Sequence, residues 1–319
     1  MKPYQKLLPL LLLTLLTASC DDDDKLPTAI VPETSHDNSI NTNRNPISEN
    51  ADYARLEFPH IRGDEGSVVL IRRVPNYGIN YAIEYDRVKR SQRWTCWQWY
   101  RGNSGKAWDR NYWNNEKDNP WAMLNMRTYG WGDPFQPDPD LLLEERTELE
   151  EYYDIPYQRG HILASADRLN SKEANEQTFY LSNIMPQSAA LNTGIWADME
   201  NKVQGWARDD KFRRVLYAVK GGTIDDNNIR AYTATGMVVP RYFYMALLCE
   251  DDQGNYKAMA FWVEHTSQNK KGDALSKYIL NIHQLEEKTG IDFFCNLPDE
   301  IEQKVENAQL SEIRSEWKI

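Results

Sequence analysis

Alternation of apolar and polar positions is the first regularity in this chain, and it begins late. Ser67–Val74 (SVVLIRRV) and residues 77–85 (YGINYAIEY) are rich in β-branched and aromatic residues. Joined through Pro75-Asn76, they predict two strands about a turn. Residues 94–100 (WTCWQWY) alternate large and small side chains and predict a third. Runs at 215–219, 230–235, 241–250 and 258–264 predict four more, the last two joined by the turn Asp251-Asp252-Gln253-Gly254. A short run at 291–295 predicts another. The period changes to that of a helix over 191–208, where Leu191, Ile195, Trp196, Met199, Val203 and Trp206 share one stripe. Residues 276–290, stopped by Gly290, and Asp299–Glu306 predict further helices. The acidic 141–152 predicts a surface helix. From 101 to 140 no period holds. Strands and helices without a repeating βαβ order define an α+β class.

The first 60 residues carry neither period. Lys2 and Lys6 precede an apolar run over 7–16 and then Thr17-Ala18-Ser19-Cys20, the layout of a secretory signal too short for a typical spanning helix. The small residues ending on cysteine resemble a bacterial lipoprotein signal, with Cys20 as the acylated first residue of the mature chain. Thr17 stands where that pattern usually has an aliphatic residue. Asp21 to Asp24 resemble the acidic tag of surface lipoproteins of the Bacteroides group; a solvated spacer on a periplasmic lipoprotein fits them equally. Residues 25–60, rich in Pro, Ser, Thr, Asn and Asp, predict a tether. The expected organisation is a signal peptide over 1–19, a flexible tether over 20–60 and one domain over 61–319. The expected location is exported and anchored to a membrane by the N-terminal lipid, at the outer-membrane surface or in the periplasm.

A net charge of -11 argues against coating nucleic acid by bulk electrostatics. The charge is uneven, however. Residues 61–130 hold 12 Lys and Arg against 7 Asp and Glu, whereas 133–154 hold 9 acidic residues against Arg146 alone. The basic segment predicts a track for a polyanion that the whole-chain figure hides. Beyond Cys20, the cysteines are Cys96, Cys249 and Cys295, with no spacing that suggests zinc. One disulfide or buried free thiols both fit.

The chemistry concentrates between Tyr157 and Glu200. Arg159-Gly160-His161 offers a forked permanent cation suited to phosphate, a glycine that allows close backbone approach, and the side chain best matched to proton transfer near neutral pH. Asn192 and Glu200, eight apart on the predicted helix, offer the oxygen donors that suit magnesium. A base, an arginine and a hard metal ion together describe hydrolysis of a phosphodiester.

The full string resembles the nonspecific DNA/RNA endonucleases of the Serratia nuclease and mitochondrial endonuclease G type. Their signature runs Asp-Arg-Gly-His, an Asp, Ser-Asn-Ile-x-Pro-Gln, Leu-Asn-x-Gly-x-Trp and a Glu four residues after the Trp. This chain matches at Arg159-Gly160-His161, Asp167, Ser182 to Gln187, Leu191 to Trp196 and Glu200. The resemblance implies a ββα-metal (His-Me finger) fold with a central antiparallel sheet flanked by helices. It implies His161 as general base, Asn192 as the one direct protein ligand of Mg2+ (or Mn2+ or another divalent cation), and Glu200 on metal-bound water. It also implies Arg159 at the phosphate, Asn183 and Gln187 as polar supports on the substrate side, and Arg110, after Ser104-Gly105-Lys106, as a phosphate-stabilising arginine. Expected partners are DNA and RNA, single- or double-stranded; a homodimer and an inhibitor protein stay open. One departure is Gln158, where the signature has Asp. It leaves open a catalytically impaired surface lipoprotein that binds nucleic acid or another partner. Asp154 is a candidate for the missing charge.

Overall fold

The alternating segments pair in the order their turns dictate. In the computed structural model, which describes residues 40–114, 122–125 and 133–319, β1 (Ser67–Val74), β2 (Gly78–Asp86) and β3 (Ser91–Tyr100) form an antiparallel meander. Two short strands, β4 (Gln158–His161) and β5 (Ile184–Gln187), make a separate antiparallel ribbon. Next come β6 (Val215–Gly222), the small pair β7 (Ile229–Tyr232) and β8 (Val238–Pro240), then β9 (Tyr242–Glu250), β10 (Tyr256–Glu264) and β11 (Ile279–Leu280). The main sheet runs β1-β2-β3-β6-β9-β10-β11, with every neighbour antiparallel. The helices are the short α1 (Lys172–Glu176), then α2 (Trp196–Ala207), α3 (Ile282–Thr289), α4 (Asp299–Glu306) and α5 (Leu310–Trp317). Cys20 and the expected signal peptide lie outside the described residues.

Period-2 alternation sorts the strands between two cores. Trp97, Trp99, Leu216, Ala218, Met245 and Leu247 face one side, where α2 and α5 cover them with Trp196, Met199, Val203 and Trp317. Trp94, Cys96, Tyr217, Val219, Tyr244 and Ala246 face the other, under α3 and α4. The sheet is therefore covered on both faces, which is why its central strands read as almost continuous apolar runs.

Several expectations change. The predicted helix over 141–152 is only the single turn Leu149–Tyr152. Leu141 is buried while Leu142 and Leu143 face solvent, so its leucines do not form a helical stripe. Helix α3 starts at Ile282, not 276, because the Asn281 side chain accepts from the Gln284 N–H at 2.9 Å and caps it. The run 291–295 is not a strand; Phe294 has φ 60° and turns the chain. The tether ends earlier than 60. Phe58 and Asn45 are fully buried, Asn41 donates to Cys295 O and Leu297 O, and His60 N donates to Asp292 O at 2.8 Å. Asparagines that read as disordered composition here hold the segment down, Asn41 on carbonyls and Asn43 on carboxylates of the C-terminal layer, Asn45 on Tyr53 O and Pro59 O. All three described cysteines are buried and unpaired.

The basic track is not free either. Arg72 pairs with Asp138 and Asp140, Arg87 with Glu145 and Arg90 with Glu151. The acidic segment thus neutralises three cations of the meander rather than standing apart from it.

Beneath α3 and α4, Glu286, Asp292 and Glu306 bring carboxylate oxygens within 4.8 Å of one another. Burial and then the neighbouring carboxylates Glu286 and Glu302 push the Glu306 carboxyl upward, and burial holds Glu302 at about 7. Carboxyls raised in the folded state keep protons that the unfolded chain gives up. Their contribution is complete below the unfolded value and is lost as pH rises through about 7 and above. Thermal melts should therefore show Tm falling between pH 6 and 9, and Glu306→Gln should raise Tm at pH 8.5 by about 2–4 °C. An unchanged Tm would remove this account.

Candidate active site

Ribbon β4–β5 runs directly into α2 through a kinked turn, Leu191–Ile195, in which Gly194 (φ -105°, ψ -122°) leaves the helical conformation. The single helix expected over 191–208 is thus broken, and Asn192 stands outside the regular part. The ribbon is tied to the main sheet by close approach. A Cβ on Gly222, at the end of β6, would lie 2.7 Å from Met185 Sδ on β5. A Cβ on Gly160 would lie 2.2 Å from Gln187 Cδ, so only glycine permits this ribbon to close.

His161 ends β4 with its ring between Phe135 and Phe179, at centroid distances of 5.3 Å each. Its Nε2 is buried without a hydrogen-bond partner among the described residues. Burial first, then the charges of Arg110, Arg159 and Lys220, lower its pKa from 6.5 to about 3. The ring is therefore neutral at any ordinary pH, with its Nε2 lone pair open.

Arg159 stacks over Phe135 at 4.5 Å and pairs with the buried Asp133. The carboxylate next to this arginine is Asp133, not Asp154, which is exposed in a turn at φ 58°. Arg110 begins the turn Arg110–Asn114, exposed, with its charge close enough to His161 to be the second cause of that lowered pKa.

Asn192 is partly exposed. Its Nδ2 donates to Gln158 Oε1 at 2.9 Å, and its Oδ1 makes no hydrogen bond to the described residues. Gln158 thus does what an acceptor at this position can do: it fixes the Asn192 amide with the oxygen left over. Restoring acid, Gln158→Asp, should change cleavage by no more than about threefold, whereas Gln158→Ala should raise the Mg2+ midpoint about tenfold. Equal midpoints for Gln158→Ala and wild type would show that the bond has no such role.

Glu200 lies on α2, its Oε1 3.0 Å from Lys220 Nζ. Burial raises its carboxyl pKa; Lys220 opposes the rise and Asp167 adds to it. Two other expected site residues are spent inside the protein. Asn183 is fully buried, donates to Leu163 O and Thr178 O at 2.9 Å each and accepts from Leu163 N at 2.9 Å, so it clamps the segment after His161. Gln187 is also fully buried, packed on Gly160. Neither has surface left for substrate. Asp133 carries no local signal in an acidic stretch, whereas Lys220, a lysine inside an apolar strand, does.

The donor types fit a hard divalent ion: an amide oxygen on Asn192 that no described residue engages, and the Glu200 carboxylate eight residues on. A two-stranded ribbon bearing the histidine, followed through the kinked turn of Asn192 by helix α2, is the layout of the ββα-metal class. A family model described as DNA/RNA non-specific endonuclease matches residues 71–300, and the chain belongs to that family. It is 27% identical to the protein named Nuclease EXOG, mitochondrial, of Xenopus laevis over 231 residues, 69% of this chain and 58% of that protein. It thus spans less than two thirds of that relative's length. It is 26% identical to a protein named Nuclease of Nostoc sp. over 237 residues, 71% of this chain and 75% of that one. A chain in the crystal structure of the EndoG/EndoGI complex superposes with a TM-score of 0.56 at 19% identity, covering 72% of this chain and 88% of that one, a likeness of fold.

Proposed function

We propose that this chain is a divalent-metal-dependent endonuclease that hydrolyses phosphodiester bonds of DNA and RNA without strong sequence preference. The observation that carries the reading is the neutral, unpartnered Nε2 of His161 on the same finger as the free Oδ1 of Asn192. His161 takes the proton from an attacking water. Arg159, held flat on Phe135 and braced by Asp133, keeps a permanent cation beside it for the phosphate. Arg110, exposed at the start of the turn Arg110–Asn114, adds a second cation. Asn192, with Glu200 behind it, is the place for the divalent ion, which when bound supplies charge stabilisation for the phosphate and the departing oxygen. Contacts made to phosphate rather than to bases carry little sequence information.

Incubating the protein with supercoiled plasmid and with RNA, with Mg2+ or Mn2+ and with chelator, tests this. Nicking that chelator abolishes is expected. Binding without cleavage under every divalent ion would replace the enzyme by a nucleic-acid-binding protein.

A further inference from the structure

Lys220 occupies a place where a lysine is rarely left. It lies on β6, all eight of whose residues are buried, and its own exposure is nil. By alternation it belongs with Leu216 and Ala218, on the sheet face that α2 covers. A buried ammonium is tolerated only with partners. Here Nζ lies 3.0 Å from Glu200 Oε1 and 3.5 Å from Asp167 Oδ2. The rings of Trp97 and Trp196 stand 5.2 Å and 5.6 Å from it, faces that favour a cation and exclude water. Asp167 is itself held by Gln204 Nε2 at 2.8 Å. The strand fixes the stem, two indoles the flanks and two carboxylates the head. Of the three charged groups, Glu200 is the one that keeps measurable exposure, 15% of its side chain against 0% for Lys220 and 1% for Asp167.

We propose that Lys220 is a positioning residue: from beneath the finger it holds the Glu200 carboxylate in one orientation, turned to the side on which Asn192 offers its oxygen. This rests on the nuclease reading above. Without the ammonium, the Glu200 carboxylate loses its one ion-pair partner among the described residues. Lys220 has no surface of its own, so its loss falls on the metal site and on turnover, not on the binding of nucleic acid.

Wild type, Lys220→Met, Lys220→Arg, Glu200→Gln and the double variant Lys220→Met/Glu200→Gln are compared after melts establish that each is folded. Mn2+ binding is measured by calorimetry, and plasmid cleavage gives kcat and KM. Lys220→Met is expected to bind Mn2+ about tenfold more weakly and to lose about 100-fold in kcat, with KM within about twofold of wild type. Lys220→Arg, which keeps the charge, should recover part of both. The double variant should be no worse than Glu200→Gln, since the two residues act as one unit. Wild-type Mn2+ affinity in Lys220→Met, or additive losses in the double variant, would overturn the inference. Lys220→Met leaves two carboxylates facing each other; if it does not fold, the charge-balanced double is set against Glu200→Gln, and any further loss overturns it. Failure of the nuclease reading looks different: wild type cleaves nothing, while the Mn2+ comparison still decides Lys220. A wild type that binds no Mn2+ overturns both.

Discussion

His161→Ala is expected to lower kcat on plasmid DNA and on RNA by about 1,000-fold, with KM little changed. The ring makes no hydrogen bond through Nε2 to the described residues and packs against the aromatic rings of Phe135 and Phe179. Its removal therefore deletes a proton acceptor without orphaning a partner, and the protein should remain folded. Its burial and the charges of Arg110, Arg159 and Lys220 keep the free-enzyme ring neutral from pH 6.5 down towards about 3. The acid limb of kcat/KM should accordingly sit below the ordinary histidine value rather than at it. Activity within tenfold of wild type in His161→Ala would remove the assigned base. An acid limb at 6.5 would remove the account of its environment.

Asn192→Ala should cost at least about 100-fold at 1 mM Mg2+, partly recovered by excess ion. The amide stands outside the regular helix, so truncation does not disturb the α2 stripe that packs on the sheet. It removes the oxygen that faces no protein donor, and leaves Gln158 Oε1 without its 2.9 Å partner. The effect belongs in the metal dependence. A Mg2+ titration with the same midpoint as wild type would show that the ion is held elsewhere.

The strands of the main sheet were legible because alternation and turn residues are local properties, and β1, β2, β9 and β10 fall where those patterns lie. The chemistry-bearing stretch was legible for a related reason. Arg159, His161, Asn192 and Glu200 are few, spaced in a fixed order and of types that serve one reaction. What each residue faces was not legible. Asn183 and Gln187 have the same chemistry as Asn192, yet both are consumed by burial, one on the backbone near Leu163 and one against Gly160. The counter-charge of Arg159 comes from Asp133, 26 residues away, where sequence proximity favoured Asp154. The doubt over Gln158 also turned on a contact: an amide oxygen suffices to orient Asn192.

Long-range pairing explains the other differences. Residues 40–60 have the composition of a tether, and the opening of the domain at residue 61 follows from composition alone. The C-terminal layer, about 250 residues on, offers the Cys295 and Leu297 carbonyls that hold the Asn41 side chain and the Asn296 side-chain oxygen that accepts from Asn45 N. Three arginines of the basic segment, Arg72, Arg87 and Arg90, are likewise taken up once 133–154 folds over them. By itself the amino-acid order determined an α+β body, the positions of most main-sheet strands, a helix after Ile195 and the residue types of a phosphodiesterase site. The tertiary structure decided which of those residues reach the site, which are spent holding it, and that a buried lysine on β6 stands behind the finger's glutamate. The division is physical: backbone propensity and periodicity act over a few residues, whereas burial, charge pairing and unsatisfied donors exist only between segments the fold has brought together.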